Sequence, residues 1–226
     1  MLTVGEWCER VAQIGGQKPA TMRLIARDYG EADPPLLTRF GRGSKGVKLS
    51  TRDGVNLLVG AAIAPPGRAT RAINRLQTLP RVQPAGDEAV AAGELTVHDN
   101  PLETLVDAVE KLRGDKRDKV LPLMEDFFVE FSYKGSIEFG LDDGLLVRFV
   151  FRKTGVLSTG DDSNNFLVFT YYPSADAWTE LERAARYRTM PTHHVFIHGP
   201  VLIELANVLR GDEPRHNVIS SNPSPA

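Results

Sequence analysis

Apolar residues recur every three or four positions in five stretches of the first half of the chain, which is the spacing of one face of an α-helix. The first stretch begins at Thr3, and Glu6 stands three positions later, as in a capping box. Ser50 or Thr51 is the candidate N-cap of the third stretch, and glycine or proline ends most of the stretches. The predicted helices cover residues 3–14, 19–29, 52–64, 68–79 and 101–113.

Two short apolar runs flank a glycine-rich turn between the second and third predicted helices. Residues 36–40 and 47–49 have the composition of strands, and residues 41–46 carry three glycines interleaved with Arg42 and Lys45. The expected structure is a hairpin with a flexible basic tip. The N-terminal order is therefore helix, turn, helix, basic hairpin, helix.

After residue 118 the helical spacing gives way to alternation of apolar and polar residues, which is typical of half-buried strands. Arg148 stands between Val147 and Phe149, and residues 142–144 (Asp-Asp-Gly) form a turn signal between two such runs. An antiparallel sheet is expected. The predicted strands cover 127–133, 135–140, 145–153, 166–172 and 194–198, and further helices cover 175–187 and 201–209.

Composition places the chain among ordinary globular proteins, because 42% of its 226 residues are hydrophobic and 25% are charged. The single cysteine, Cys8, excludes an intramolecular disulfide and a metal site built from several thiolates, and it fits a reducing compartment. The N-terminus lacks the pattern of a signal peptide, and no stretch approaches the ~20 apolar residues of a membrane span. We therefore expect a cytoplasmic protein without a membrane partner.

Positive charge is concentrated towards the N-terminus. Residues 1–82 contain thirteen Lys or Arg and six Asp or Glu, a balance of plus 7, and the remainder of the chain sums to minus 9. This division of charge is typical of a basic nucleic-acid-binding domain joined to an acidic domain, which the phosphates of the nucleic acid repel. A chance split of solvated surface charge is the alternative interpretation.

The N-terminal order offers two surfaces to double-stranded DNA. A second helix with exposed Arg and Thr fits the major groove, and a hairpin tipped by Arg42 and Lys45 reaches adjacent phosphates or the minor groove. Arg23 and Arg27 lie four positions apart on one face, so at least one of them is placed to donate to guanine. The candidate DNA-binding residues are Lys18, Thr21, Arg23, Arg27, Arg39, Arg42, Lys45 and Lys48.

Three segments resemble the winged helix of the MerR-like family. Residues 3–7 (TVGEW) stand where that family opens its first helix, residues 19–23 (PATMR) where its recognition helix begins, and residues 49–53 (LSTRD) where the wing returns into the third helix. The chain also resembles uncharacterised phage and prophage proteins of alphaproteobacteria, which share a Gly-Arg-Gly wing followed by an aliphatic helix. Val47 and Leu49 replace the aromatic residues usual around the wing, and no effector region with cysteine ligands follows, so metal sensing is not implied.

These observations predict an α+β protein with an N-terminal winged helix-turn-helix, followed by an antiparallel sheet with flanking helices. The expected parts are a DNA-binding domain (1–82), a linker (83–100), an α+β domain for dimerisation or regulation (101–212) and a disordered tail (213–226). The expected function is that of a phage or prophage transcriptional regulator that binds specific DNA sequences. The alternative is a phage assembly or packaging component, or an interaction module without DNA binding.

A homodimer is expected, because one winged helix contacts too few base pairs for high specificity. One apolar stripe on the helix at 101–113 provides either a dimer seam or a face packed on the chain's own sheet. Its members are Leu102, Leu105, Val109 and Leu112.

No cofactor, metal or catalytic site is expected. His194 and His198 face one side of a predicted strand and His193 the other, so at most two ligands converge. The oxygen-rich residues 161–165 lack the spacing and terminal glutamate of a calcium loop. No nucleophile elbow or phosphate-binding glycine loop is present, and the chain is not expected to be an enzyme.

Overall fold

The computed structural model describes residues 3–38, 49–83, 94–134, 145–152, 166–173 and 192–212, and in these ranges it has a mixed α+β fold. The helices are α1 (Val4–Ile14), α2 (Pro19–Glu31), α3 (Thr51–Ile63), α4 (Ala69–Thr78), α5 (Pro101–Arg113), α6 (Arg117–Glu125) and α7 (Gly199–Arg210). The strands are β1 (Arg81–Gln83), β2 (Phe128–Lys134), β3 (Leu146–Arg152), β4 (Phe166–Tyr171) and β5 (Thr192–His198).

The five strands form one antiparallel sheet in the order β1-β4-β3-β2-β5. Phe131 of β2 pairs with Val147 of β3 on one side and with Val195 of β5 on the other. Phe131 and Val147 are fully buried, so this face of the sheet forms part of the core. The expectation of an antiparallel sheet is confirmed.

Three helices begin where side chains satisfy free backbone N–H groups. The Thr3 hydroxyl accepts the N–H of Glu6 at 3.2 Å, and the Glu6 carboxylate accepts the N–H of Thr3. Ser50 and Asp53 form the same reciprocal pair at the start of α3, and the Asn100 side chain caps α5. The starts predicted from sequence are therefore confirmed at α1 and α3.

Helix α3 is the centre of the helical layer. Eleven of its thirteen residues are buried, and it packs against α1, α2, α4, α5 and α7. A Cβ atom added at Gly54 would lie 3.1 Å from a methyl carbon of Leu209 in α7, so the two helices approach closely there. Buried residues from Trp7 to Leu209 form one continuous apolar cluster.

The apolar stripe of α5 is part of this cluster. Each of its four members is 0% exposed within a single chain, so the stripe packs inside the protein rather than forming a free seam between two copies. Arg52 of α3 and Glu103 of α5 form an ion pair at 2.6 Å beside it. The stripe therefore joins the N-terminal helices to the rest of the fold.

The structure differs from several of the sequence predictions. Residues 36–38 were expected in a strand but do not form one. The N–H of Leu36 donates to the carbonyl of Tyr29, and the carbonyl of Leu36 accepts a hydrogen bond from the side-chain amide of Asn56, so neither group is free to pair with a strand. Helix α6 was not predicted. Part of the predicted linker also packs against α5: Leu95 is buried, and the Thr96 N–H donates to Asp107.

Other predictions lie outside the described residues. They concern the hairpin residues 39–48, the strand at 135–140, the helix at 175–187 and the tail at 213–226.

Candidate nucleic-acid interface

Helices α1 and α2 are joined by a tight turn that reverses the chain. Gly16 adopts a positive φ of 63°, and the N–H of Gln17 donates to the carbonyl of Ala12 at 2.8 Å. The N–H of Gly16 donates to Gln13, which completes a Schellman motif at the end of α1. Pro19 then begins α2, so the sequence Gly-Gly-Gln-Lys-Pro produces a helix, a turn and a second helix.

The inner face of α2 is fixed by a buried tyrosine. The Tyr29 hydroxyl donates to the carbonyl oxygens of Asn56 at 3.2 Å and Ala69 at 3.4 Å, and burial raises the pKa of Tyr29. Gly60 provides the space for this hydroxyl, because a Cβ atom there would lie 1.6 Å from it. The orientation of α2 relative to α3 and α4 is therefore set by direct contacts.

The outer face of α2 presents Arg23, Leu24 and Arg27 to solvent. Lys18 is exposed just before the helix, and Thr21 is half-buried. The structure thus brings four of the eight candidate DNA-binding residues to one end and one face of α2. The other four, Arg39, Arg42, Lys45 and Lys48, lie outside the described residues.

Both arginines on this face have acidic neighbours. Arg23 forms an ion pair with Glu9 of α1, and Arg27 lies 3.5 Å from the carboxylate of Asp28. Residues 3–38 contain four basic and five acidic side chains, so the two helices are not basic on their own. The positive charge of the N-terminal region resides in residues 39–48 and in the segment that follows.

Residues on either side of the basic segment 39–48 donate to one carboxylate. Asp53 is 3% exposed and accepts the N–H and the hydroxyl of Thr38, at 2.9 and 2.7 Å. It also accepts the N–H of Ser50 at 2.9 Å. Because Thr38 precedes the segment and Ser50 follows it, Asp53 brings the chain before and after the segment together beside α3.

A cavity of about 420 Å³ lies between α1, α2 and residues 37–38. Val4, Cys8 and Ala26 contribute to its lining, with Arg23 and Arg27 on the α2 side. Burial raises the pKa of Cys8 to about 11, so this side chain is a neutral thiol at physiological pH. The cavity therefore does not contain an activated cysteine nucleophile.

Three arginines in α4 or directly before it were not among the sequence candidates. Arg71 is exposed, and Arg68 and Arg75 are half-buried near the same helix. The preceding loop contacts α2, because the N–H of Gly67 donates to Asp28 at 3.2 Å. The spacing of three basic residues at i, i+3 and i+7 was the available signal for a basic helix face.

The histidines near the end of the chain are placed as the strand pattern predicts. His194 and His198 lie on one face of β5, and His193 lies on the other, where it stacks on Tyr133. The Nδ1 atom of His194 is 2.7 Å from the Glu130 carboxylate. Within the described ranges, no group of three His, Cys, Asp or Glu residues is arranged to hold a metal ion. Residues 161–165 lie outside those ranges.

No helix in the described part of the chain combines the length and apolar character needed to span a membrane. No family model, curated protein or solved structure matches the chain. The functional conclusion therefore depends on the arrangement of its own residues.

Proposed function

We propose that the protein is a transcriptional regulator, encoded by a phage or prophage, that binds specific DNA sequences through a winged helix in residues 1–82. One observation carries the proposal. Asp53 accepts hydrogen bonds from Thr38 and Ser50, which flank a segment containing four basic residues, next to a helix whose outer face carries Arg23 and Arg27. A basic segment whose flanking residues meet beside an exposed helix is the arrangement that a winged helix requires.

Helix α2 is the proposed reading element. Arg23 and Arg27 are one helical turn apart and exposed, which suits bidentate donation to guanine in the major groove. Lys18 and Thr21 stand at the start of α2, where side chains contact phosphates. Arg39, Arg42, Lys45 and Lys48 supply the wing contacts to phosphates or the minor groove.

The test starts from footprinting on DNA from the genomic neighbourhood of the gene, followed by binding titrations at several salt concentrations with the full chain. Arg23→Ala or Arg27→Ala should cost about 1–3 kcal/mol and relax the preference at one base pair. Lys45→Ala should weaken binding on every sequence and reduce the slope of log K against log salt by about one.

Lys119→Ala is the matched control, because Lys119 is an exposed lysine of α6, where it pairs with Glu94. It should leave both affinity and salt slope unchanged. Binding that ignores salt, or an equal effect of Lys45→Ala and Lys119→Ala, would contradict the proposal.

A second candidate is an assembly component or interaction module that does not bind DNA. The ion pair between Arg23 and Glu9 and the contact of Arg27 with Asp28 favour it, because carboxylates already neutralise the proposed reading face. Absence of any footprint at low salt would support this candidate.

A further inference from the structure

We propose that β5 is a dimer interface, along which a second copy of the chain adds its own β5 and extends the sheet. Among the described residues, β5 pairs only with β2 and forms one edge of the sheet. His194, Phe196 and His198 are exposed on one face of the strand, whereas Val195 and Ile197 on the other face pack against the core. The proposal adds an interface to the dimer expected of a regulator, but it does not depend on DNA binding.

The two edges of the sheet are protected very differently. Edge strands are normally blunted by short length, charge, proline or a bulge, because their free backbone groups pair with other chains. β1 follows this rule, with three residues and a register shift between Arg81 and Gln83. β5 does not: its seven residues, THHVFIH, contain no Lys, Arg, Asp, Glu or Pro, and they pair with β2 in unbroken register.

The sequence of β5 indicates that the partner strand is identical. Residues 194–198 read His-Val-Phe-Ile-His, which is nearly a palindrome about Phe196. In an antiparallel pair with a two-fold axis at Phe196, the two Phe196 residues lie opposite each other. Val195 then lies opposite Ile197, and His194 opposite His198. Such self-complementarity is what a two-fold interface needs.

The outward face of β5 presents a row of rings. The ring of Phe196 lies 6.2 Å from that of His194 and 6.4 Å from that of His198, with small interplanar angles, and 5.9 Å from that of Phe128. Phe196 is 48% exposed, which leaves much of an aromatic side chain for a partner to bury.

Charge does not oppose this contact. Glu130, the carboxylate opposite Phe196 on β2, is next to His194 at 2.7 Å and Arg148 at 3.5 Å. Two copies therefore approach without an isolated charge at the centre of the interface. The contact suits a second copy better than a strongly acidic or basic partner.

The size of the edge sets the expected affinity. With the axis at Phe196, residues 194–198 of one copy pair with the same residues of the other, because β5 ends at His198. Five residues at about 3.4 Å each give a paired edge about 17 Å long, and a contact of that length buries less than the roughly 800 Å² per partner of a standard interface. We therefore expect a dimer that dissociates in the micromolar range.

Sedimentation of the full chain between about 1 and 200 μM tests this. Phe196→Lys should weaken dimerisation at least tenfold. Phe166→Lys should leave it unchanged, because Phe166 is a similarly exposed aromatic on β4, which β3 and β2 separate from β5. Circular dichroism checks that both variants are folded.

Oxidative crosslinking gives an independent readout. Residues opposite each other in an antiparallel pair have Cα atoms about 4.5–5.5 Å apart, which suits a disulfide. Phe196→Cys should form a covalent dimer on mild oxidation and Phe166→Cys should not, and the native Cys8 is buried and does not interfere.

A monomer across the concentration range, a dimer that Phe196→Lys leaves intact, or failure of Phe196→Cys to crosslink would overturn the inference. Because none of these measurements contains DNA, failure here leaves the proposed function standing, and loss of DNA binding leaves this inference standing.

Discussion

Replacing Gly60 by alanine tests the contact that orients the proposed reading helix. An added Cβ atom would lie 1.6 Å from the Tyr29 hydroxyl and 2.9 Å from the ring carbon that bears it. Tyr29 is fully buried, so its ring has no room to move aside without disturbing α2. Overpacking costs about 1–3 kcal/mol, and an approach of 1.6 Å belongs in the upper part of that range, at about 2–3 kcal/mol. Loss of the hydroxyl's hydrogen bonds costs about 1 kcal/mol more. The better helix propensity of alanine returns about 1 kcal/mol.

We therefore expect Gly60→Ala to lower the free energy of unfolding by about 2–3 kcal/mol. Tyr29→Phe alone should cost about 1 kcal/mol, because it removes only the hydroxyl. In the Tyr29→Phe background the closest clash is gone, and the penalty of Gly60→Ala should fall to about 1 kcal/mol. The two changes should thus be coupled by about 1–2 kcal/mol.

Urea titrations monitored by circular dichroism measure all four proteins of this cycle. Gly30→Ala is the control, because Gly30 also lies in a helix but its added Cβ would meet nothing within 4 Å. It should stabilise the protein by about 0.5–1 kcal/mol. Two results would show that the Tyr29 hydroxyl does not fix α2 against Gly60. One is that Gly60→Ala stabilises the protein as Gly30→Ala does. The other is that Gly60→Ala lowers the free energy of unfolding equally in the wild-type and Tyr29→Phe backgrounds.

Three further predictions concern Asp53, the ion pair between Glu9 and Arg23, and Cys8. Asp53→Ala should lower the free energy of unfolding by about 1–3 kcal/mol in urea titrations, because three donors lose their acceptor. Asp53→Ala should also weaken DNA binding, and an unchanged affinity would mean that residues 39–48 do not contact the DNA. Glu9→Gln should strengthen DNA binding at low salt by releasing Arg23, and a gain of the same size at high salt would refute that electrostatic cause. Because burial raises the pKa of Cys8 from 9.0 to about 11, the folded state holds this proton more tightly than the unfolded chain does, and stability should fall as pH rises through that interval. Cys8→Ala should remove that part of the decline in pH-dependent unfolding curves.

The elements predicted correctly from sequence have clear local signals. Thr3 with Glu6 and Ser50 with Asp53 are capping boxes that require no knowledge of tertiary structure. Helix α6 lacks such a signal, since no side chain caps it and Pro122 lies inside its nine residues. The apolar stripe of α5 was ambiguous for another reason. A helix face that packs on its own chain and one that packs on a second copy have the same periodicity.

The candidate site was predictable in part. The apolar stripe of α2 places Arg23 and Arg27 outward, and the structure has both side chains exposed. The acidic partner of Arg23 is on another helix, fourteen residues earlier, and helical spacing within α2 carries no information about it. The contact of Asp53 with Thr38 was hidden as well, because the two residues lie fifteen positions apart and no local pattern links them.

The continuous core has a consequence for how the protein unfolds and evolves. Helix α3 packs on α5 and α7 as well as on α1, α2 and α4, so removing the C-terminal portion would leave much of its surface exposed to water. We expect heat to unfold the described elements in one cooperative transition rather than in two steps. The N-terminal helices are therefore not a module that recombination can transfer intact to another protein, because their central helix, α3, needs apolar partners from both halves of the chain.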